Sequence, residues 1–475
     1  MDVLHNASSE KNSGNIGLWI RLSHFFGNKY IYFVVFVVNI LNLISGLSFA
    51  WSSPVLVELN RVQNNPLGYT ITPNESSLVG SLFYIGAAIG PLLLLKCSDK
   101  LGRRTFIIVL STFLPLSYGV LAVAKTIQLF YVCRMVTGLI IGITCCITPV
   151  YITEILPANI RGSIMSLSNT SIQTGILLTY IIGPFVSIMV FNLIITGLSV
   201  VFLVSFALTC PETPYYIMKT KGKEEAKDLL ALFRSENIDE ELKDIEESVK
   251  TQMKNETGNY KIIGFLKPFM MATTLLVIQQ FTGINILIGY SQLIFLETGI
   301  KFSSAKCSII VGCLQVASAF IAPVFSEKFP RKSMLCFSLF GLSICNFVLS
   351  LYFYLFKGTG YVNWLPLAAL VLFVIFDNCG NGPLPWVLLG EIYPMHFRPV
   401  GPALSTSVYC LVQFLLMLEF NKINLKYTFF VFGCCSIFGI IFVRFFITET
   451  RGKTLRQIGD ELEEAVPLKK KQNVR

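Results

Sequence analysis

Two eight-residue stretches decide the reading of this chain: Glu154-Ile-Leu-Pro-Ala-Asn-Ile-Arg161 and Glu391-Ile-Tyr-Pro-Met-His-Phe-Arg398. They share Glu-Ile-x-Pro-x-x-x-Arg and lie 237 positions apart. Pro211-Glu-Thr and Thr448-Glu-Thr repeat at the same offset. Asp99-Lys-Leu-Gly-Arg-Arg104 pairs more loosely with Glu327-Lys-Phe-Pro-Arg-Lys332. Three polar motifs repeated in one order mark two homologous halves.

Between these motifs the chain is apolar. Hydrophobic residues make up 53% of the 475 and charged residues 14%, against about 25% charged in a soluble domain. The solvent for most of the chain is therefore lipid. Asp, Glu, Lys and Arg are absent from 30–57, 105–124, 135–153, 268–296, 307–326, 333–356, 399–418 and 427–443. A spanning helix needs about 20 apolar residues, so each gap fits one. The charge-free run from Gly162 to Pro211 has Gly183-Pro184 near its middle and reads as two helices joined by a turn. Helices over about 78–95 and 364–390, the second holding Asp377, complete twelve.

Of the 38 lysines and arginines, 30 fall on the side that holds both termini and 7 on the other, with Arg134 inside a helix. Positive charge stays in the cytosol, which predicts cytosolic termini. The expected organisation is a cytosolic N-terminus (1–29), a six-helix bundle (30–210), cytosolic linker helices (211–262), a second six-helix bundle (263–447) and a cytosolic tail (448–475). Leu229, Leu230, Leu232 and Phe233, then Leu242, Ile245 and Val249, predict amphipathic linker helices at the cytosolic surface. The polar N-terminus has no apolar run ending in a cleavage site, so the first helix is the expected insertion signal. Of the sequons, Asn74-Glu-Ser76 alone falls in an outside loop and is the expected glycosylation site.

The 13 cysteines sit mostly in apolar spans and form no disulfide framework. Three histidines and no ligand spacing predict no metal site. No phosphate-cradling loop, zinc motif or nucleophile elbow appears, so no enzyme class and no cofactor is expected. The net charge of +10 lies at helix ends facing one side, which points to a bilayer, not to nucleic acid. No obligate protein partner is evident.

The ordered motifs carry a resemblance. Asp99-Lys-x-Gly-Arg-Arg104, Arg134-x-x-x-Gly138, Pro149-Val-Tyr-x-x-Glu154-Ile, Arg161-Gly162, Pro211-Glu-Thr-Pro214, Gln279-Gln-Phe-x-Gly-Ile-Asn285, Gly382-Pro-Leu-Pro-Trp386 with Glu391, and Glu449-Thr-Arg-Gly452 resemble the sugar porter family of the major facilitator superfamily over nearly the whole chain. Within it, Ser52-Ser-Pro54 makes the chain most similar to insect facilitated trehalose and hexose transporters. The resemblance implies an all-α polytopic membrane protein. Its twelve transmembrane helices would form two pseudo-symmetric six-helix bundles, the major facilitator fold, with short cytosolic helices between the halves. It also implies alternating access around a central sugar site in the plasma membrane.

Amides suit a buried sugar site, because they donate and accept without a buried charge, though they also hold helices together. Gln279, Gln280 and Asn285 are the first substrate-binding candidates, with Gln315 and Gln173 by alignment. Helical spacing puts Gln279 and Asn285 on one cavity edge. Trp386, after Gly-Pro-Leu-Pro, is the expected ring-stacking face, and Tyr290, Asn378, Tyr409 and Gln413 form a second tier. The chain departs from the family at Cys410, at Asn378 with Asp377 shifted by one, at Pro330 and at Tyr215. Proton coupling in the family uses an acid in the first helix. Ala50-Trp51-Ser52 has none, so the expectation is a uniporter. Asp377 keeps proton symport open, and the cytosolic tail keeps open a non-transporting sugar sensor. Asp99, Arg103, Arg104, Glu154, Arg161 and Glu212 in the first half, with Glu327, Arg331, Glu391, Arg398 and Glu449 in the second, are expected to form a cytosolic gate across the halves.

Overall fold

The computed structural model describes Trp19 and residues 29–61, 65–234, 238–256, 262–300, 302–356, 362–393, 397, 400–447 and 449. Within them, eleven helices are long and apolar enough to cross a bilayer. They are spans 1 (Tyr30–Leu59), 2 (Pro73–Leu94), 3 (Arg103–Val123), 4 (Ile127–Ile155), 6 (Ile188–Thr209), 7 (Phe265–Glu297), 8 (Ser304–Ile321), 9 (Arg331–Phe356), 10 (Leu365–Ile392), 11 (Gly401–Phe420) and 12 (Leu425–Phe446). Span 5, Ala158–Ile182, is the twelfth and is polar for a spanning helix. Its Ser166, Ser168, Thr170, Ser171 and Thr174 hydroxyls each donate to the carbonyl four residues back. Such back-bonding satisfies a hydroxyl within its own helix, so the segment tolerates lipid depth. The run from 162 to 211 divides as its Gly183-Pro184 predicts: a 3-10 turn over Gly183–Phe185 joins spans 5 and 6.

Spans 1–6 and 7–12 form two six-helix bundles. The bundles meet where span 2 packs on span 11, span 5 on span 8, and the C-terminal end of span 1 on span 7. The sequence repeat reappears as repeated bonds. In the first half, the carboxylate of Glu212 accepts the backbone N–H of Arg104 at 3.1 Å, at the start of span 3. In the second, Glu449 accepts the N–H groups of Arg331 and Lys332 at 3.1 Å, at the start of span 9. An anion at a helix N-terminus satisfies free donors and the helix dipole together. Pro330 stands where the first half has Gly102, and the cap forms in both halves regardless. Burial pushes the Glu212 carboxyl above the usual carboxylate range, and the N–H bonds from Arg104 and Thr213 pull it back.

Between the bundles, helices Pro214–Thr220, Lys223–Ala231 and Ile238–Glu256 pack their apolar faces on one another through Ala226, Leu230, Leu242, Ile245 and Val249. Phe233 stacks on Tyr30 of span 1 at 5.7 Å. The linker helices thus bury their stripes in a small core of their own and against span 1.

Candidate functional site

Spans 7 and 10 are interrupted, and the interruptions place the candidate residues. Span 7 breaks at Gly283, whose φ of 95° suits glycine, and again at Tyr290 (φ −121°, ψ 18°). The first break removes the helical phase between Gln279 and Asn285. Asn285 therefore joins Gln280 and not Gln279: its Nδ2 donates to Gln280 Oε1 at 2.9 Å and to the Tyr409 hydroxyl at 2.7 Å. Gln280 Nε2 donates to the Tyr409 carbonyl at 3.3 Å. Span 10 is interrupted by a π-helical turn over Asp377–Asn381. Short π segments of this kind occur often at functional sites. Gln279 Nε2 donates to the carbonyls of Asn381 (2.8 Å) and Gly382 (2.9 Å) beside that turn.

Trp386 is 38% exposed, and its ring meets Tyr409 edge to face at 5.1 Å. Tyr409 thus connects Gln280, Asn285 and Trp386, a junction no spacing in the chain reveals. On the remaining spans, Gln173 lies on span 5, Gln315 on span 8 and Gln413 on span 11. Spans 5 and 8 face each other where a side chain at Gly312 would touch Tyr180 and Leu177. Gln173, Gln279 and Gln315 each carry a buried amide oxygen with no hydrogen-bond partner, and both amide atoms of Gln413 are likewise unpartnered. A buried polar atom without a partner costs about 1–3 kcal/mol. The four amides lie on spans of both bundles, and Asn192, Gln292 and Asn346 also each leave one buried amide atom without a partner.

The second-tier residues divide. Asn378 donates within its own helix to Val374. Tyr290 donates to the Met417 carbonyl at 3.1 Å and stacks on Phe420, so it packs against span 11 and away from the amides. The gate was expected to pair charges across the halves; among the described residues, two ion pairs form at these positions, each inside one half. Arg103 meets Glu154 at 3.2 Å, and Arg331 meets Glu391 at the repeated position. The side chains of Asp99 and Glu327, and residue Arg398, lie outside the described residues. Arg161 donates to the Leu156 carbonyl at 3.4 Å, at the end of span 4.

The residues that close the opposite end carry no repeated motif in the sequence. Ser52 Oγ donates to the Gly289 carbonyl at 2.9 Å, and Tyr180 Oη to the Ile288 carbonyl at 2.9 Å. The N–H of Gln292 donates to Ser53 Oγ at 3.2 Å, and Asn421 reaches Ser76 and Ser77. These bonds join the bundles at the end where span 1 meets span 7, so that end is closed. Hydroxyls are too common along the chain for sequence to single these out.

Asn74 is exposed in the first turn of span 2, next to the capping pair Thr72 and Glu75. Arg134 is buried in span 4, between the rings of Trp51 (4.7 Å) and Phe83 (4.5 Å), and donates to the carbonyls of Ser48 and Val79. Rings and carbonyls of spans 1 and 2 thus surround this cation.

Comparison with known proteins agrees with this geometry. The family model described as "Sugar (and other) transporter" matches residues 34–462. The chain is 32% identical over 439 residues to the facilitated trehalose transporter Tret1 of Bombyx mori, covering 89% of this chain and 85% of that protein. It is 29% identical over 455 residues to a Tret1-2 homolog of Drosophila sechellia, covering 92% of each. Among solved structures, the proton:xylose symporter XylE bound to 6-bromo-6-deoxy-D-glucose superposes with a TM-score of 0.76, at 24% identity, over 91% of this chain and 99% of that one. The inward open form of XylE from E. coli gives 0.77 at 22% identity, over 91% and 99%. With twelve helices in two bundles, an amide-lined interruption of spans 7 and 10 and a family match over most of its length, the chain belongs to the sugar transporter family, a multi-pass membrane protein of major facilitator fold.

Proposed function

We propose that the protein is a facilitative sugar uniporter of the plasma membrane, with both termini in the cytosol, moving a hexose or trehalose by alternating access. The observation that carries this reading is the set of unpartnered buried amides at Gln173, Gln279, Gln315 and Gln413, on spans of both bundles. Sugar hydroxyls supply the missing partners, and Gln280, Asn285 and Trp386 complete the site around Tyr409. The trehalose transporters most similar to it support a facilitative mode. So does span 1, which carries no acid from Tyr30 to Val57 that could cycle a proton. The charge asymmetry of the loops supports the orientation. Asn74, exposed at the outer end of span 2, is the glycosylation site of this reading.

The test is zero-trans uptake of labelled glucose and trehalose by the purified protein in liposomes. Saturable entry that equilibrates without accumulation supports the proposal. Sugar binding with no uptake would make the protein a sensor.

A further inference from the structure

Resting on that sugar-transport reading, we propose that Asp377 is a positioning residue: it holds the π turn of span 10 so that Gln279 faces the sugar purely as a hydrogen-bond acceptor. Gln279 has two amide hydrogens, and backbone carbonyls of Asn381 and Gly382 take them at 2.8 and 2.9 Å. Its Oε1 is buried and has no partner. An amide fixed in this way cannot flip, so it recognises a hydroxyl that donates and rejects a group that can only accept.

What fixes the two carbonyls is the turn, and what fixes the turn is Asp377. Its Oδ1 accepts Asn381 Nδ2 at 2.8 Å, and its backbone carbonyl accepts the N–H of Gly382 at 2.7 Å. Asn381 Nδ2 also reaches Thr282 Oγ1 at 3.2 Å, directly before the break in span 7. Ser338 of span 9 closes the other side: it accepts the N–H of Asn381 at 2.9 Å and donates to the Phe376 carbonyl at 2.7 Å. The carboxylate is buried, and the side chain it holds belongs to a residue whose carbonyl holds Gln279. The role needs an acceptor oxygen at Asp377 and no change of protonation.

The test uses Asp377→Asn, which keeps the acceptor and abolishes the acid, beside Asp377→Ala, which removes both. Each is purified, checked for folding by thermal unfolding, and read by uptake and by equilibrium competition with a panel of deoxyfluoro glucose analogues. Fluorine accepts weakly and cannot donate. In the wild-type protein, one position of the panel should lose about tenfold more affinity than the others, as expected for one buried hydrogen bond. Asp377→Asn should keep that discrimination and the KM. Asp377→Ala should raise the KM several-fold and cut the discrimination to about twofold. Gln279→Ala should abolish it, with no further loss in the double variant. Discrimination retained in Asp377→Ala would overturn the proposal. So would Asp377→Asn behaving like Asp377→Ala, or losing proton-driven accumulation that the wild type shows. Wild-type protein that binds sugar without moving it would overturn the transport reading alone, because the competition panel still tests Asp377.

Discussion

At the scale of single residues, the site is built from amides whose bonds are partly satisfied by protein and partly not. Gln279→Ala removes an acceptor that has no protein partner. The expected loss is about 1–1.5 kcal/mol of sugar binding, or roughly five- to tenfold in half-saturation, with surface expression unchanged. Normal uptake kinetics in both Gln279→Ala and Asn285→Ala would remove these residues from the site. Trp386 is different in kind, because its ring packs edge to face on Tyr409 and still presents a large exposed area. Trp386→Phe should keep most of the affinity. Trp386→Ala should lose about 0.5–1.5 kcal/mol or more, through both the pair and the lost surface. Equilibrium binding of a non-transported analogue separates the two variants. These residue types were legible from sequence: a Gln-Gln pair before Phe-x-Gly-Ile-Asn inside an apolar helix is costly unless it is used. Their partners were not legible. Gly283 breaks the helix that would have put Asn285 in phase with Gln279, and Tyr409 enters from a span more than 120 residues away.

At the scale of elements, the interruption of span 7 at Tyr290 is what allows the bundles to close on each other at that end. A straight helix would bind the carbonyls of Ile288 and Gly289 internally. Here they accept Tyr180 and Ser52 from the other bundle. Ser52→Ala deletes one of these cross-bundle bonds and leaves a buried carbonyl with one partner fewer, at a cost of about 1–3 kcal/mol to the closed form. The population should move toward an outward-open state. A cysteine introduced at Ser291, fully buried here, should then react faster with a membrane-impermeant maleimide from outside. Gly289→Ala should act in the same direction, because its Cβ would lie 2.4 Å from Met417 Cε and 3.3 Å from Ser52 Oγ. Unchanged labelling in both variants would show that the outer closure is held elsewhere. Span 5 carries a different lesson. Its hydroxyls and amides keep it out of a hydropathy count, yet back-bonding to its own carbonyls satisfies most of those hydroxyls.

At the scale of the whole molecule, the two bundles repeat not only their helices but also the pairs that fasten the ends carrying the repeated motifs. Arg103–Glu154 and Arg331–Glu391 are one interaction made twice, as are the caps from Glu212 and Glu449. With the other end closed by bonds between the bundles, the pairs seen among the described residues lie within each bundle and brace the ends of its spans. Glu391→Gln should slow net uptake while sugar binding by the purified protein stays within about twofold, because one neutralised, partly buried pair at the helix ends contributes only about 1 kcal/mol. Loss of binding together with uptake would assign Glu391 to folding. Uptake by the wild type should also be indifferent to a protonophore. Accumulation above the outside concentration that collapses with the proton gradient would overturn uniport. The sequence by itself determined the number of spans, the two-fold repeat, the family and the candidate amides. In lipid every backbone group must be satisfied within its own helix, so length and apolarity write each span locally, and motifs mark its ends. Only the tertiary structure decided which amides share a partner, which are left without one, and which side of the molecule is closed. Those follow from two helix breaks and from contacts between bundles, and short-range spacing encodes neither.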